Sequence, residues 1–370
     1  MKIRPGNLSP TNSGNAAANN AKVMSMVASE AKSMASFKLM LLVMMVLQNS
    51  STVLVGRYTR SAVAKEDLYS VSHLIILTEC SKFLLSCGLE FYTTGGQLYE
   101  SLQQHVFKRP TDALKILVPA LLYLVQNTLL YVALSNLTAP IFQVTYQAKL
   151  VTTALVSVLL LQRSYSLQQW VCLCLLSFGV ATVVLGEKSG AQDAKADLQQ
   201  NLFVGLIAVT VACMSSALAG VYFEMVLKKP STGEDAQQPA SLWMRNMQLA
   251  FFSIVIAVLQ SSTETPKEEF IGKPYLHGFT PWVWTLVVLQ AGGGLLVAAV
   301  IKYADNVLKG LATGVSVVFS TFLSIICFGT PLSNHFVAGA AMILISVYFF
   351  SNPLPMKSKK ETEMKSLIPK

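Results

Sequence analysis

Lys149 makes the strongest chemical demand on its surroundings. It stands with Gln143, Tyr146 and Gln147 in an otherwise apolar stretch, Ala139 to Leu161. If that stretch is one helix, the ammonium lies about ten residues in, roughly 15 Å along the axis. A cation that far from either end is strongly destabilising unless it meets water, a carboxylate or an anionic ligand. Two readings follow: a contact for an anionic substrate in a central cavity, or one member of a buried ion pair. Glu79 and Lys82, three residues apart, can pair on one helical face, and we read them as a helix-orienting or gating pair. Gln126, Asn127 and Gln290 are uncharged hydrogen-bonding groups that suit helix packing as well as ligand recognition. Tyr222 and Glu224 precede Lys228 and Lys229, while Arg245 and Asn246 open another apolar stretch; charged groups at such edges are ordinarily solvated. The segment Lys302-Tyr303-Ala304-Asp305-Asn306, with Lys309, packs its charge between two apolar helices. Asp305 can cap the second of these while Lys302 points back towards a cavity mouth.

The chemistry that is missing narrows the class. Gly292-Gly293-Gly294 lacks the Lys-Ser/Thr pair and the soluble strand of a phosphate loop, so it reads as a site of close helix contact or local unwinding, as do Gly310 and Gly314. There is no Gly-x-Ser-x-Gly elbow, no His-Glu-x-x-His and no acidic pair of the metal-dependent transferase kind. His73, His105, His277 and His335 are scattered, so no metal site is expected. The six cysteines all fall in apolar segments and read as small buried residues. No cofactor is implied, and the pattern counts against an enzyme.

The elements that position these groups follow from composition. Of 370 residues, 53% are hydrophobic and 13% charged, about half the charged share of a soluble domain. The apolar residues form blocks long enough to cross a hydrocarbon layer about 30 Å thick. We therefore expect an all-α polytopic membrane protein. The expected spans are Phe37 to Val55, Leu68 to Phe91, Ala113 to Leu134, Ala139 to Leu161, Leu167 to Leu185, Leu202 to Leu227, Leu242 to Leu259, Pro281 to Ile301, Val307 to Phe328 and Phe336 to Phe350. Residues 1–36, rich in Ser, Asn, Ala and Met, read as a disordered cytosolic tail without a cleaved signal. Residues 37–350 form the ten-helix domain, with halves of about 37–186 and 202–350, and residues 351–370 form a C-terminal tail. None of the links is large enough for a second globular domain.

Lys and Arg concentrate on the side that holds both termini, whereas the opposite links are close to neutral, which places both ends in the cytosol. The net charge of +9 is thus a topology signal and not a sign of a nucleic acid polymer as partner. The three Asn-x-Ser/Thr matches, at Asn7, Asn49 and Asn136, are expected to carry no glycan, being cytosolic or too near the bilayer. Leu129 to Leu134 and Leu295 to Val300 echo each other at the third span of each half, as inverted five-helix repeats would, although short apolar hexamers also match by chance.

The stretch Leu117 to Ala154, with VPALLYLVQNTLLYVALSNLTAPIFQVTYQAKLVTTA at its core, closely resembles the nucleotide-sugar transporter family, which includes Golgi carriers for CMP-sialic acid, UDP-galactose and UDP-N-acetylglucosamine. AGVYFE at Ala219 to Glu224, SLWMRNMQL at Ser241 to Leu249 and KYADNVLKGLATG at Lys302 to Gly314 agree with it in family order. The resemblance implies a drug/metabolite-transporter fold of ten helices and exchange of a cytosolic nucleotide sugar for a lumenal nucleoside monophosphate. It assigns phosphate contacts to Lys149 and Lys302 and carries over Gln126, Asn127 and Tyr146, with Gln147 beside them. Tyr222, Arg245 and Asn246 are looser nucleoside-side assignments, and Glu79, Lys82, Glu224 and Asp305 are left to gating or helix pairing.

Thr128 stands where the family commonly has a second Asn. Phe142 and the run Lys149 to Ala154 look more like the UDP-sugar members than the CMP-sialic acid members. The expectation is therefore UDP-galactose or UDP-N-acetylglucosamine exchanged for UMP in the Golgi membrane. The alternatives are a CMP-sialic acid carrier or a small-metabolite exporter, with the endoplasmic reticulum as the alternative membrane. A homo-oligomer or an association with Golgi glycosyltransferases is compatible with this reading.

Overall fold

The computed structural model describes residues 13–61, 67–188, 201–228, 240–263, 272–329 and 333–352, and the described residues contain helices and no strand. The expected C-terminal tail and most of the links after the fifth, sixth and seventh spans lie outside them. The helices are α1 (Ser13–Ser61), α2 (Val71–Thr93), α3 (Leu98–Leu102), α4 (Pro110–Leu114), α5 (Leu117–Asn136), α6 (Ala139–Tyr146), α7 (Ala148–Leu161), α8 (Leu167–Lys188), α9 (Leu202–Lys228), α10 (Leu242–Thr263), α11 (Pro281–Tyr303), α12 (Asn306–Phe328) and α13 (Asn334–Ser351). A five-residue π-helical turn, Gln103–Phe107, joins α3 to α4.

Nine stretches of the described chain are long and apolar enough to cross a membrane. α2, which carries Glu79, Lys82 and Glu90, is not among them, although it too is a continuous helix of 23 residues. Burial follows a lipid solvent rather than water. Large apolar side chains such as Leu84, Phe178, Phe203, Val288 and Ile326 are exposed, while Glu90, Glu224, Arg245 and Asn246 are buried. In hydrocarbon nothing drives an apolar side chain inward, so small residues and polar groups fill the helix contacts instead.

Local chemistry sets the helix ends. Pro281 sits in the first turn of α11, where a missing N–H is harmless. Asp305 accepts a hydrogen bond from the Leu308 amide at 2.6 Å and caps α12, as its sequence position suggests. Ser333 caps α13 in the same way, and Gly329 closes α12 at φ 63°.

Two elements differ from expectation. The supposed disordered tail is helical from Ser13 on, because Ala16 to Ala18, Ala21, Ala28, Ala31 and Ala35, with interspersed Lys and Met, are strong helix formers. The supposed single span Ala139 to Leu161 is two helices, α6 and α7, broken at Gln147.

The packing interleaves the two halves of the chain. The contacts α1 to α12, α12 to α7, α7 to α9, α9 to α5, α5 to α10, α10 to α2, α2 to α11 and α11 back to α1 close a ring of eight helices. Each neighbour in that ring comes from the opposite half. The pair α8 and α13 packs outside it, against α7 and α12. Exchanging α1 with α9, α2 with α10, α5 with α11, α7 with α12 and α8 with α13 returns the same ring of neighbours.

Gly293 of α11 allows one such close approach. A Cβ there would come within 2.1 Å of Gln48 Nε2, which donates to the Leu289 carbonyl at 2.9 Å.

Candidate functional site

The break in the fourth span builds the site. At Gln147 the ladder tightens: its amide donates to the Val144 carbonyl, and its carbonyl accepts from the Leu150 amide, both at 3.2 Å. Neighbouring helices take up the loosened backbone groups. Ser177 Oγ of α8 donates to the Gln147 carbonyl at 3.2 Å, and Cys213 Sγ of α9 donates to the Tyr146 carbonyl at 3.7 Å. Interrupted spans are tolerated at membrane depth only where they are packed by protein or line a cavity.

A cavity of about 210 Å³ opens at this break. Tyr146, Gln147, Lys149, Leu150 and Thr153 line it from α6 and α7, Ser216 from α9, and Asn306, Lys309, Thr313 and Gly314 from α12. Lys149 Nζ donates to Tyr146 Oη at 3.2 Å and lies 5.4 Å from the centre of that ring. Gln126 Nε2 donates to the same oxygen at 3.4 Å, and the Phe142 ring stacks on Tyr146 at 5.7 Å. The chain Gln126, Tyr146, Lys149 thus aims one amine into the cavity. Lys309 reaches the same space from the other half of the protein. Among the described residues neither amine pairs with a carboxylate. The arrangement is a small, half-enclosed cationic chamber with hydrogen-bonding walls, suited to an anion rather than to bond-making chemistry.

The other candidates fall elsewhere. Lys302 is half-buried at the end of α11, 5.6 Å from the Tyr303 ring, and does not line the chamber. The chain reverses at Ala304, so the residue brought to Lys149 is Lys309, seven positions on. Asn127 lines a second cavity of about 320 Å³ between α2, α5 and α10, with Ser72, Tyr131, Gln260 and Ser261. Tyr222 is half-buried on α9 and lines neither cavity. Arg245 bonds the Asp112 carboxylate at 2.5 Å and Gln248 at 3.1 Å, which ties α10 to α4, while Asn246 is buried and donates to the Leu242 carbonyl within α10 itself. Glu90 accepts from Ser101 at 2.6 Å and from Ser241 in the same region. Glu79 and Lys82 form the ion pair their spacing suggests, 2.6 Å apart.

Glu224 and Asp305 belong to a network that sequence reasoning only half saw. Arg163, on the α7–α8 link, lies 2.5 Å from Glu224 and 3.7 Å from Asp305, and Lys228 lies 2.7 Å from Glu224. Burial alone would lower the pKa of Arg163, but the carboxylates of Glu224 and Asp305 outweigh it and raise the pKa above its ordinary value. Asn306 and Lys309, which line the chamber, stand in the charge-dense segment that the sequence marks but are not among the contacts expected from it, and Arg163, outside the chamber lining, carries no mark in the sequence.

The sequence profile of the nucleotide-sugar transporter family matches residues 33–351. The mouse UDP-galactose translocator is 42% identical over 319 residues, covering 84% of this chain and 77% of its own length. The human UDP-N-acetylglucosamine transporter is 38% identical over 329 residues, covering 87% of this chain and 97% of its own. One solved crystal structure superposes with a TM-score of 0.60 at 13% identity, covering 86% of this chain and 96% of that one. The chain belongs to the nucleotide-sugar transporter family, within the drug/metabolite transporter superfamily. Members of this family are transporters and not enzymes.

Proposed function

We propose that this protein is an antiporter that carries UDP-galactose or UDP-N-acetylglucosamine into the Golgi lumen in exchange for UMP. The observation that carries the reading is the chamber in which Lys149 and Lys309, one from each half of the chain, face the same space without an acidic partner among the described residues. Two ammonium groups in that setting call for an anion, and the phosphates of a nucleotide supply one. Relatives that carry UDP-sugars support the uridine assignment.

The architecture supports alternating access. We read α2 as a tenth span and the interleaved ring as two inverted five-helix repeats, with the site between them. Both termini then face the cytosol, as does the end of the bundle that carries Arg163. The chamber of about 210 Å³ is smaller than the roughly 300–1,000 Å³ of ordinary ligand pockets. It therefore holds the phosphates, and parting of the halves makes room for the base and sugar. Lys302 and Asn127, outside the chamber here, are placed to meet substrate only as it enters or leaves.

Counterflow into proteoliposomes preloaded with UMP, CMP, GMP or AMP tests the assignment. UDP-sugar uptake is expected to be fastest against UMP. Faster exchange of CMP-sialic acid against CMP would move the protein to the CMP-sialic acid branch, and uptake of small metabolites without any nucleotide dependence would make it an exporter.

A further inference from the structure

Glu224 is a carboxylate with no exposed surface, and its hydrogen bonds divide into two kinds. Lys228, one turn along the same helix, donates to Oε1 at 2.7 Å, and the Asn306 amide, at the start of α12, donates to Oε2 at 3.1 Å. Both donors belong to the second half of the chain. Lys228 also donates to the Ala304 carbonyl at 2.5 Å, so it ties α9 to the α11–α12 link. The remaining donor, Arg163, comes from the first half. Its other terminal nitrogen lies 3.7 Å from Asp305, an ion pair without a hydrogen bond.

We infer that Arg163 and Glu224 form a detachable latch that closes one end of the phosphate chamber, and that Glu224 is the positioning residue for the first turn of α12. The inference rests on the transport reading above. When the halves part, Arg163 leaves and becomes hydrated at the rim, where it is already about a quarter exposed. Glu224 keeps Lys228 and the Asn306 amide, so opening does not strand a bare carboxylate, which is what makes breaking a buried pair so unfavourable. The latch can therefore cycle.

The same contacts reach the chamber. The Asn306 amide is held by Glu224, and the Asn306 side chain lies against Gly220, where a Cβ would come within 2.4 Å of it. Asn306 lines the chamber, and Lys309 follows less than one turn later on the helix capped by Asp305. Lys149 and Lys309 line one chamber from either side of the boundary that Arg163 and Glu224 hold together, and two ammonium groups sharing a cavity repel each other. An anion between the lysines removes that repulsion and lets the latch close; an empty chamber opposes closure. Occupancy by phosphate thereby becomes a condition for the conformational change, as an exchanger requires.

Two measurements test this. Arg163→Ala is expected to bind UMP within about twofold of wild type, to lose exchange at least tenfold, and to increase at least threefold the labelling of Thr313→Cys by a membrane-impermeant thiol reagent applied at the Arg163 end. Arg163→Lys should recover part of the exchange. As an independent arm, thermal unfolding of Arg163→Ala without ligand is expected to stay close to wild type, which separates loss of the latch from loss of the fold. Wild-type exchange and labelling in Arg163→Ala, or a loss of exchange accompanied by an equal loss of thermal stability, would overturn the latch. Thiol labelling needs no substrate, so a failure of the nucleotide-exchange reading would leave the latch result separately readable.

Discussion

Lys149 of α7 and Lys309 of α12 face one chamber from opposite halves of the chain. The Lys149 amine is held by Tyr146 of its own half, and the Lys309 side chain lines the same space from the other half. A ligand with two or more anionic oxygens is the group that satisfies both. Charge-assisted hydrogen bonds are worth roughly 1.5–3 kcal/mol where water is excluded. Lys149→Ala and Lys309→Ala are each expected to weaken UMP binding at least tenfold while retaining wild-type thermal stability without ligand. Lys302→Ala, outside the chamber, should weaken binding less than either. Titration calorimetry on detergent-purified variants, with unfolding followed separately, checks the order. Normal binding in Lys149→Ala together with marked loss of stability would make Lys149 a structural residue.

Tyr146 aims Lys149. Its phenol oxygen accepts from the Lys149 amine and the Gln126 amide, so removing it frees the amine without changing the ring that packs on Phe142. Tyr146→Phe is expected to weaken UMP binding about threefold to tenfold, the worth of one hydrogen bond. Gln126→Leu should follow in the same direction with a smaller effect. Binding unchanged in Tyr146→Phe would mean that the amine finds its place unaided.

Gly293 lets Gln48 cross α11. Gly293→Ala would push the Gln48 amide off the Leu289 carbonyl, and because the end of that flexible side chain can move aside, the cost is that of one hydrogen bond, ~0.5–1.5 kcal/mol. Thermal unfolding of the purified variant reads this directly, and an unchanged midpoint would show that the bond to Leu289 adds nothing to stability.

The spans were readable because hydrocarbon demands about 20 consecutive apolar residues per helix, and Lys149 was readable because a cation within such a run needs a reason. The break beside it was not. Gln147 and its neighbours suit a continuous helix, and the groups that loosen it, Ser177 and Cys213, come from helices 30 and 67 residues away in sequence. Lys302 ends α11 and Lys309 lies in the first turn or so of α12, so which one faces Lys149 depends on the reversal at Ala304, a backbone detail that residue types do not declare. Arg163 looked like one more positive charge in a link; its partner Glu224 lies 61 residues away. The extended helix before Phe37 shows the opposite case, where weak hydrophobicity concealed strong helix propensity.

Topology gives a further test. With both termini cytosolic, tags at either end are expected to be reached after selective permeabilisation of the plasma membrane alone. A cysteine placed in the link between α8 and α9 should react only after the organelle membrane is opened. A C-terminal tag protected until that second step would reverse the orientation, and with it the side on which Arg163 closes the chamber.

The central claim, nucleotide exchange through a chamber built on two lysines, is met most directly by trans-stimulation. Uptake of labelled UDP-galactose or UDP-N-acetylglucosamine is measured in proteoliposomes preloaded with UMP and in empty ones. Wild-type protein is compared with Lys149→Ala/Lys309→Ala of equal thermal stability. The expected result is uptake at least tenfold faster into UMP-loaded vesicles for wild type and no stimulation for the double variant. Equal uptake into loaded and empty vesicles by wild type, or undiminished stimulation without the two lysines, would contradict it.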